Sequence, residues 1–256
     1  MFARIRTVSF FTALEAVRGR FFWALTFLVA TAWLFAVFAN QLSIIEGEQV
    51  QVALLASVTR LGGAVLLAVY TINGVVREYQ DKGTEMLFAT PLSRGEYYLG
   101  KLSGYMISAA AFVGAAACMM LTQAPLEQVV LWAASLFCEL ALVIAFSLFC
   151  GLSLGQIPSA IGAVLGFYLL ARSTAAMSLM AHHPSPAAEN VLHDYFAMGF
   201  DGLAYVLPRL SDFSRTDWLV YGNGSWQDLA LPALQTGVYL SLLGSATLFD
   251  LYRKNF

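Results

Sequence analysis

Three ionisable side chains interrupt long apolar stretches of the sequence: Arg60, Glu139 and Arg172. A charged residue inside a membrane-spanning helix is costly, so it usually marks an ion pair or a polar pathway. At a rise of about 1.5 Å per residue, all three fall in the same half of the predicted bilayer. We therefore predict that Glu139 pairs with Arg60 or Arg172. Two roles stay open for the pair: holding the helices together, or lining a polar substrate path.

The usual metal-ligating residues lack the spacing of a metal site. The sequence contains no HExxH pattern, and no two cysteines have zinc-ligand spacing. We predict no metal site and interpret the histidines as loop residues and the cysteines as packing residues. These residues are His182, His183, His193, Cys118, Cys138 and Cys150.

One motif resembles a phosphate-binding loop but is incomplete. Gly95 is followed at the right distance by Gly100 and Lys101, yet Leu102 stands where Ser or Thr would bind magnesium. The motif also begins a predicted helix without a preceding strand. We expect this chain to bind no ATP and no other cofactor, to have no catalytic residues and not to be an enzyme.

The composition is that of a membrane protein. Of the 256 residues, 59% are hydrophobic and 12% are charged, whereas soluble domains carry about 25% charged residues. A membrane-spanning helix needs about 20 apolar residues, so the length allows about six spans in a single domain, residues 1–256. A net charge of −2 gives no basic surface for nucleic acid.

The apolar segments predict an all-α polytopic protein with six transmembrane helices. The predicted spans are residues 21–40, 52–76, 102–121, 129–152, a fifth ending near residue 180, and 229–249. Residues 21–40 also resemble a signal peptide, but the run exceeds the 7–15 residues of its apolar region. We expect this segment to be retained.

Two further segments are predicted to lie at the membrane surface. Residues 1–20 form an amphipathic basic helix typical of the interface, or else a frayed flank of the first span. Residues 181–228 are an external loop, too long to be structureless in a compact protein. Within this loop, residues 187–207 are apolar but shorter than a full span, which predicts an interfacial or re-entrant helix.

The distribution of basic residues predicts the orientation. Ten of the fourteen Lys and Arg residues lie on one side if the N-terminus is cytoplasmic. Both termini and the polar loop of residues 77–101 then face the cytoplasm.

This cytoplasmic loop contains the signals of a short helix. Gly83 ends the preceding helix, Thr84 is a plausible N-cap, and Pro91 stops the helix again. Ser93 and Glu96 have capping-box spacing, so the helix that contains the third span is predicted to begin at Arg94, still in the cytoplasm. The short helix presents Met86, Leu87 and Phe88, either to a protein partner or to lipid headgroups.

The same loop resembles the signature of ABC type-2 transporter permeases, approximately R-E-x-x-x-x-G-T-x-E-x-L-x-x-x-P-x-x-R followed by G-K. Glu85 follows Thr84 directly, one position early in that pattern. The segments around residues 207–210 and 217–222 and the six-span layout are also similar to the family. The matching loop residues are Arg77-Glu78, Gly83-Thr84-Glu85, Leu87, Pro91-Leu92-Ser93-Arg94 and Gly100-Lys101.

The resemblance implies a type V exporter in a bacterial inner membrane. Two permeases, either two copies of this chain or the chain and a paralogue, would form the pathway in membrane lipid. Separate ATPase subunits would bind ATP and magnesium. Residues 84–89 (Thr84, Glu85, Met86, Leu87 and Phe88 among them) would be the coupling helix that docks on the ATPase, with Glu78, Glu85 and Arg94 as flanking contacts.

Two other functions remain as alternatives. An ion-coupled secondary transporter would use Glu139 as a proton carrier, although the sequence shows no internal repeat of the kind common in such transporters. A force-transmitting component of a maturation complex would use an ATPase partner without exporting a cargo.

Overall fold

The structure is a computed structural model, and it describes residues 2–42, 47–81, 93–182, 202 and 207–253. Every regular element in these ranges is helical, in agreement with the predicted all-α class. A 3-10 turn lies at Leu210–Asp212. The α-helices are α1 Phe2–Arg18, α2 Arg20–Leu42, α3 Gly47–Gln80, α4 Arg94–Met120, α5 Leu126–Leu154, α6 Ile157–His182, α7 Thr216–Tyr221 and α8 Ala230–Arg253.

Five of the described helices, α2 to α6, are long and apolar enough to cross a membrane. A helix satisfies its own backbone hydrogen bonds, which the hydrocarbon core requires. The chain is therefore an integral membrane protein. Helix α8 covers the sixth predicted span, but it is not among these five helices.

The bundle is built around α5, which packs against α3, α4, α6 and α8. In its most apolar stretch, 67% of the residues are buried. Its core positions recur every four residues and are fully enclosed. Because lipid is as apolar as the core, close van der Waals packing holds such helices together. These α5 side chains are Trp132, Leu136, Leu140, Ile144 and Leu148.

Helix α4 begins where the capping signals predicted. The Ser93 hydroxyl accepts a hydrogen bond from the Glu96 backbone N–H (3.2 Å), and the Glu96 carboxylate accepts one from the Ser93 N–H (2.9 Å). This reciprocal pair is a capping box, which satisfies two backbone donors at the helix start. The predicted start of this helix at Arg94 is confirmed.

The N-terminal segment forms a separate helix, α1, which packs mainly on α4. The two helices approach closely at Gly100 and Gly104. A Cβ atom on Gly100 would lie 2.6 Å from Val8 Cβ, and one on Gly104 would lie 2.5 Å from Thr12 Cβ. Only glycine fits at these two α4 positions, so the backbones meet there.

Two predicted features fall outside the described residues. The short helix over residues 84–89 lies in the range 82–92, and most of the predicted re-entrant helix lies in the range 183–206. We call the end of the bundle where α3 ends and α4 begins the loop end. The opposite end, which carries residues 207–222, is the far end.

The close approach of α1 and α4 leads to a stability prediction. Gly104→Ala should lower the free energy of unfolding by about 1–3 kcal/mol, because the new methyl group overpacks the contact. It would lie 2.5 Å from Thr12 Cβ and 3.0 Å from the Ser9 carbonyl oxygen. Thermal unfolding of the detergent-solubilised protein measures the change.

Gly114→Ala is the matched control on the same helix. No atom lies within 4 Å of its added Cβ, and alanine is the better helix former by about 1 kcal/mol. The control should therefore be neutral or stabilising. Equal effects of the two substitutions would contradict the tight α1–α4 contact.

Candidate functional site

The far end contains a buried carboxylate with three donor side chains around it. Glu139 lies on α5 and is 0% exposed. Its carboxylate is 3.6 Å from Arg172 Nη1, accepts a hydrogen bond from the Tyr168 hydroxyl at 2.9 Å, and accepts another from the Ser214 hydroxyl. Every partner is a donor, which is what an ionised carboxylate requires. Of the two arginines considered as partners for Glu139, the structure places Arg172 at ion-pair distance.

Ser214 connects this carboxylate to the polypeptide that follows α6. Its backbone N–H donates to the Ser135 hydroxyl at 2.8 Å, and its carbonyl accepts from Arg60 Nη1 at 3.0 Å. Ser214 is fully buried and has φ of 40°, which is uncommon for a residue with a Cβ. Its position is therefore held by hydrogen bonds to α3 and α5.

Arg172 holds the same segment at two more points. Its guanidinium donates to the carbonyl oxygens of Leu210 and Phe213, the latter at 3.3 Å. Helix ends and turns leave carbonyl groups without partners, and in an apolar setting these groups must be satisfied. Arg172 on α6 thus contacts two carbonyl oxygens and the Glu139 carboxylate with one guanidinium. The Leu210 carbonyl also accepts a hydrogen bond from the Phe213 N–H, at 3.2 Å.

We call Arg60, Ser135, Glu139, Tyr168, Arg172 and Ser214 the Glu139 cluster. It joins α3, α5 and α6 to residues 210–214, so it fixes the far-end segment onto three helices. The complete burial of Glu139 favours the structural role among the two left open by the sequence.

The sequence indicated three members of the cluster and missed three. Ser135 and Tyr168 each lie four residues before a charged member on the same helix face. This spacing was an available signal for both. Ser214 had no comparable signal, because its role depends on the path of the chain after α6.

A charge substitution in the Glu139 cluster should be strongly destabilising. Glu139→Gln leaves Arg172 without its acidic partner, and breaking a buried pair costs about 3–5 kcal/mol. The free energy of unfolding in detergent measures this cost. Glu127→Gln, at an exposed position in the first turn of α5, is the control and should change little.

A double-mutant cycle with Arg172→Gln separates the ion pair from the other contacts of each residue. The double variant should be more stable than the sum of the single effects predicts. If Glu139→Gln leaves both assembly and transport unchanged, neither the structural nor the pathway role is correct.

The loop end contains a second ionic contact, between α3 and α4. Lys101 Nζ lies 2.5 Å from the Glu78 carboxylate, and the Tyr97 hydroxyl donates to the same carboxylate at 3.3 Å. The side chains of Lys101 and Glu78 are 9% and 20% exposed. We call these three residues the Glu78 cluster. Since Lys101 is engaged in this contact on a helix, it is not part of a phosphate-binding loop.

Arg94 connects the start of α4 to the end of α8. Its guanidinium donates to the Leu251 carbonyl at 2.5 Å and lies 5.6 Å from the Tyr252 ring centroid. This satisfies a carbonyl in the last turn of α8, where the partial negative charge of a helix favours a cation. Arg4 on α1 lies 3.9 Å from Glu96, but it is half-exposed, so that pair contributes little.

The residues singled out from the loop signature therefore divide into two groups. Glu78 and Arg94 make contacts within the chain and hold the two flanks of residues 82–92. The others lie outside the described residues: Thr84, Glu85, Met86, Leu87 and Phe88.

Metal-ligating residues do not cluster in the part of the chain that the structure describes. No group of three or more His, Cys, Asp or Glu residues is positioned there to hold a metal ion. The cysteines are free: Cys118 is exposed, Cys138 is half-buried and Cys150 is buried. His182 ends α6, whereas His183 and His193 lie outside the described residues.

Comparison with known proteins leaves the family open. A scan against protein-family models finds no match to this chain, and a search of curated proteins finds no significant similarity.

The Glu78 cluster leads to a second stability prediction. Lys101→Met leaves a mostly buried carboxylate with the Tyr97 hydroxyl as its remaining partner in the cluster. The free energy of unfolding should fall by about 1–3 kcal/mol. The double variant Glu78→Gln, Lys101→Met should recover part of this loss, because it removes the unpaired charge. A double variant less stable than Lys101→Met would contradict the pairing.

Proposed function

We propose that this chain is the membrane-spanning subunit of an ATP-driven exporter of the ABC type-2 permease class. In this proposal α8 is the sixth crossing, and both termini and residues 82–92 face the cytoplasm of a bacterial inner membrane. The excess of Lys and Arg at the loop end supports this orientation. Helix α1 then lies along the cytoplasmic interface.

The Glu78 cluster is the observation that carries the proposal. Glu78 belongs to the R-E pair that opens the resembling signature, and Lys101 belongs to the G-K pair that closes it. These residues are far apart in sequence but only 2.5 Å apart in space. Gly100 of the same pair is the position where α1 approaches α4. The first and last elements of the signature thus form one ion pair, which joins α3 to α4 at the loop end.

This geometry suits a loop that receives force from a partner. Residues 82–92 leave α3 directly after the Glu78 cluster and enter α4 through the capping box. Because both flanks are held together, a push on the loop would move α3 and α4 as a unit instead of bending the loop. A short helix over residues 84–89, docked on an ATPase, would use this connection.

The remaining parts of the proposal follow from the same assignment. ATP and magnesium bind to the separate ATPase subunit, and this chain carries no catalytic residue. A second permease, identical or related, completes the pathway across the membrane.

The structure gives less support to an ion-coupled transporter. A proton carrier must exchange its proton with water, yet Glu139 is fully enclosed and receives hydrogen bonds or an ion pair from three side chains. A force-transmitting maturation component would use the same loop. It is distinguished by ATP hydrolysis without measurable export.

The first test is association with an ATPase. We expect a Walker-motif ATPase to be encoded beside this gene and to co-purify with the tagged chain in equimolar amounts. Transport by this chain alone in proteoliposomes, driven by a proton gradient, would overturn the proposal.

The second test concerns residues 84–89. Leu87→Asp and Phe88→Asp should lower ATPase co-purification and permease-dependent ATP hydrolysis at least tenfold, because a charge replaces the apolar contact. The membrane domain should keep its unfolding temperature. Leu121→Asp, at the opposite end of α4 and 45% exposed, is the control and should leave coupling intact. Normal coupling in both loop variants would contradict the docking role.

A further inference from the structure

A large cleft opens between α1, α2, α3 and α4 at the loop end. Its volume is about 1130 Å³, slightly larger than typical ligand pockets, which span about 300–1,000 Å³. No member of the Glu139 cluster lines it among the described residues. The cleft is therefore separate from the Glu139 cluster, and it borders the Glu78 cluster through Glu78 and Lys101.

The cleft changes from apolar to charged along α3. Leu66 and Val69 line one end, and Arg77 and Asp81 line the other. At about 1.5 Å per residue, Leu66 and Asp81 are roughly 22 Å apart along the helix axis. Helix α2 adds Ala24 to the lining of the cleft. This gradient matches a molecule with an apolar tail and a polar head.

Only some of the charged side chains at the polar end form ion pairs with other described residues. Lys101 and Glu78, which also line the cleft, neutralise each other at 2.5 Å. Arg77, Asp81 and Glu15 are exposed, and the structure shows no side-chain hydrogen bond or ion pair from them to other described residues. One cation and two carboxylates therefore remain available to an occupant.

This set of charges selects among head groups. A guanidinium binds phosphate through paired hydrogen bonds, and two carboxylates accept hydrogen bonds from a primary ammonium group. An anionic head group would be repelled by Glu15 and Asp81, and a purely cationic one would leave Arg77 without a partner. A head group with one phosphate and one ammonium satisfies both signs.

We propose that this cleft is a binding site for a phospholipid with a zwitterionic phosphoethanolamine head group. The acyl chain lies between α2 and α3 beside Leu66 and Val69. The phosphate contacts Arg77, and the ammonium group lies between Glu15 of α1 and Asp81 of α3. The proposal does not need an ATPase partner, so its outcome is separate from that of the exporter assignment.

Native mass spectrometry of the delipidated full chain in detergent tests the site. Phosphatidylethanolamine and phosphatidylglycerol with identical acyl chains are added in equal amounts. We expect one phosphatidylethanolamine per chain, retained at least tenfold more than phosphatidylglycerol. Equal retention of the two lipids would overturn the proposal.

Two variants locate the binding to the cleft. Ala24→Phe fills the apolar end and should lower phosphatidylethanolamine retention about tenfold, whereas Ala30→Phe, exposed on the same helix, should not. Glu15→Gln removes one exposed carboxylate and should lower the preference over phosphatidylglycerol about tenfold, whereas Glu127→Gln should not. Retention and preference that stay at wild-type level in both cleft variants would show that the lipid binds elsewhere.

Discussion

A carboxylate enclosed in an apolar helix bundle must be surrounded by donors, and this requirement organises the far end of the molecule. Glu139 projects from α5, the helix against which α3, α4, α6 and α8 pack. No single neighbouring helix supplies enough donors, so they come from α6 and from Ser214. Residues 210–214 are therefore part of the bundle and not a loose connection. Without these residues, the buried Glu139 carboxylate would lose the hydrogen bond from Ser214. Such a loss costs far more free energy than the loss of an exposed contact.

At the loop end, steric fit and charge act through adjacent residues. Gly100 lets the backbone of α1 approach α4, and Lys101 reaches across to Glu78 on α3. The two residues cannot be exchanged. A side chain at position 100 would displace α1, and a glycine at position 101 could not pair with Glu78. The order Gly-Lys thus follows from helix geometry, because consecutive residues point to different faces of α4. This explains why a pair that looks like a phosphate-binding motif occurs in a chain without that fold.

Features that depend on neighbouring residues in the sequence were predicted well from the sequence. Features that depend on how two helices meet were predicted poorly. Ser93 and Glu96 are three residues apart, and their capping box depends on that spacing alone, so the start of α4 was predictable. The apolar runs likewise indicated the helices that cross the membrane. The sequence limited the partner of Glu139 to two arginines but could not choose between them. That choice depends on how α6 rotates about its own axis. The Glu78–Lys101 contact was missed because it depends on two helices meeting.

Helix α3 takes part in both polar contacts, through Arg60 at the far end and Glu78 at the loop end. At about 1.5 Å per residue these positions are roughly 27 Å apart, and the intervening segment is one uninterrupted helix. Sliding α3 along its axis would break polar contacts at both ends in an apolar environment. A tilt that carries α4 and residues 210–214 along with α3 would preserve them. The two contacts therefore couple α3 to α4 and to residues 210–214, and a movement of α3 is least costly when these elements move with it.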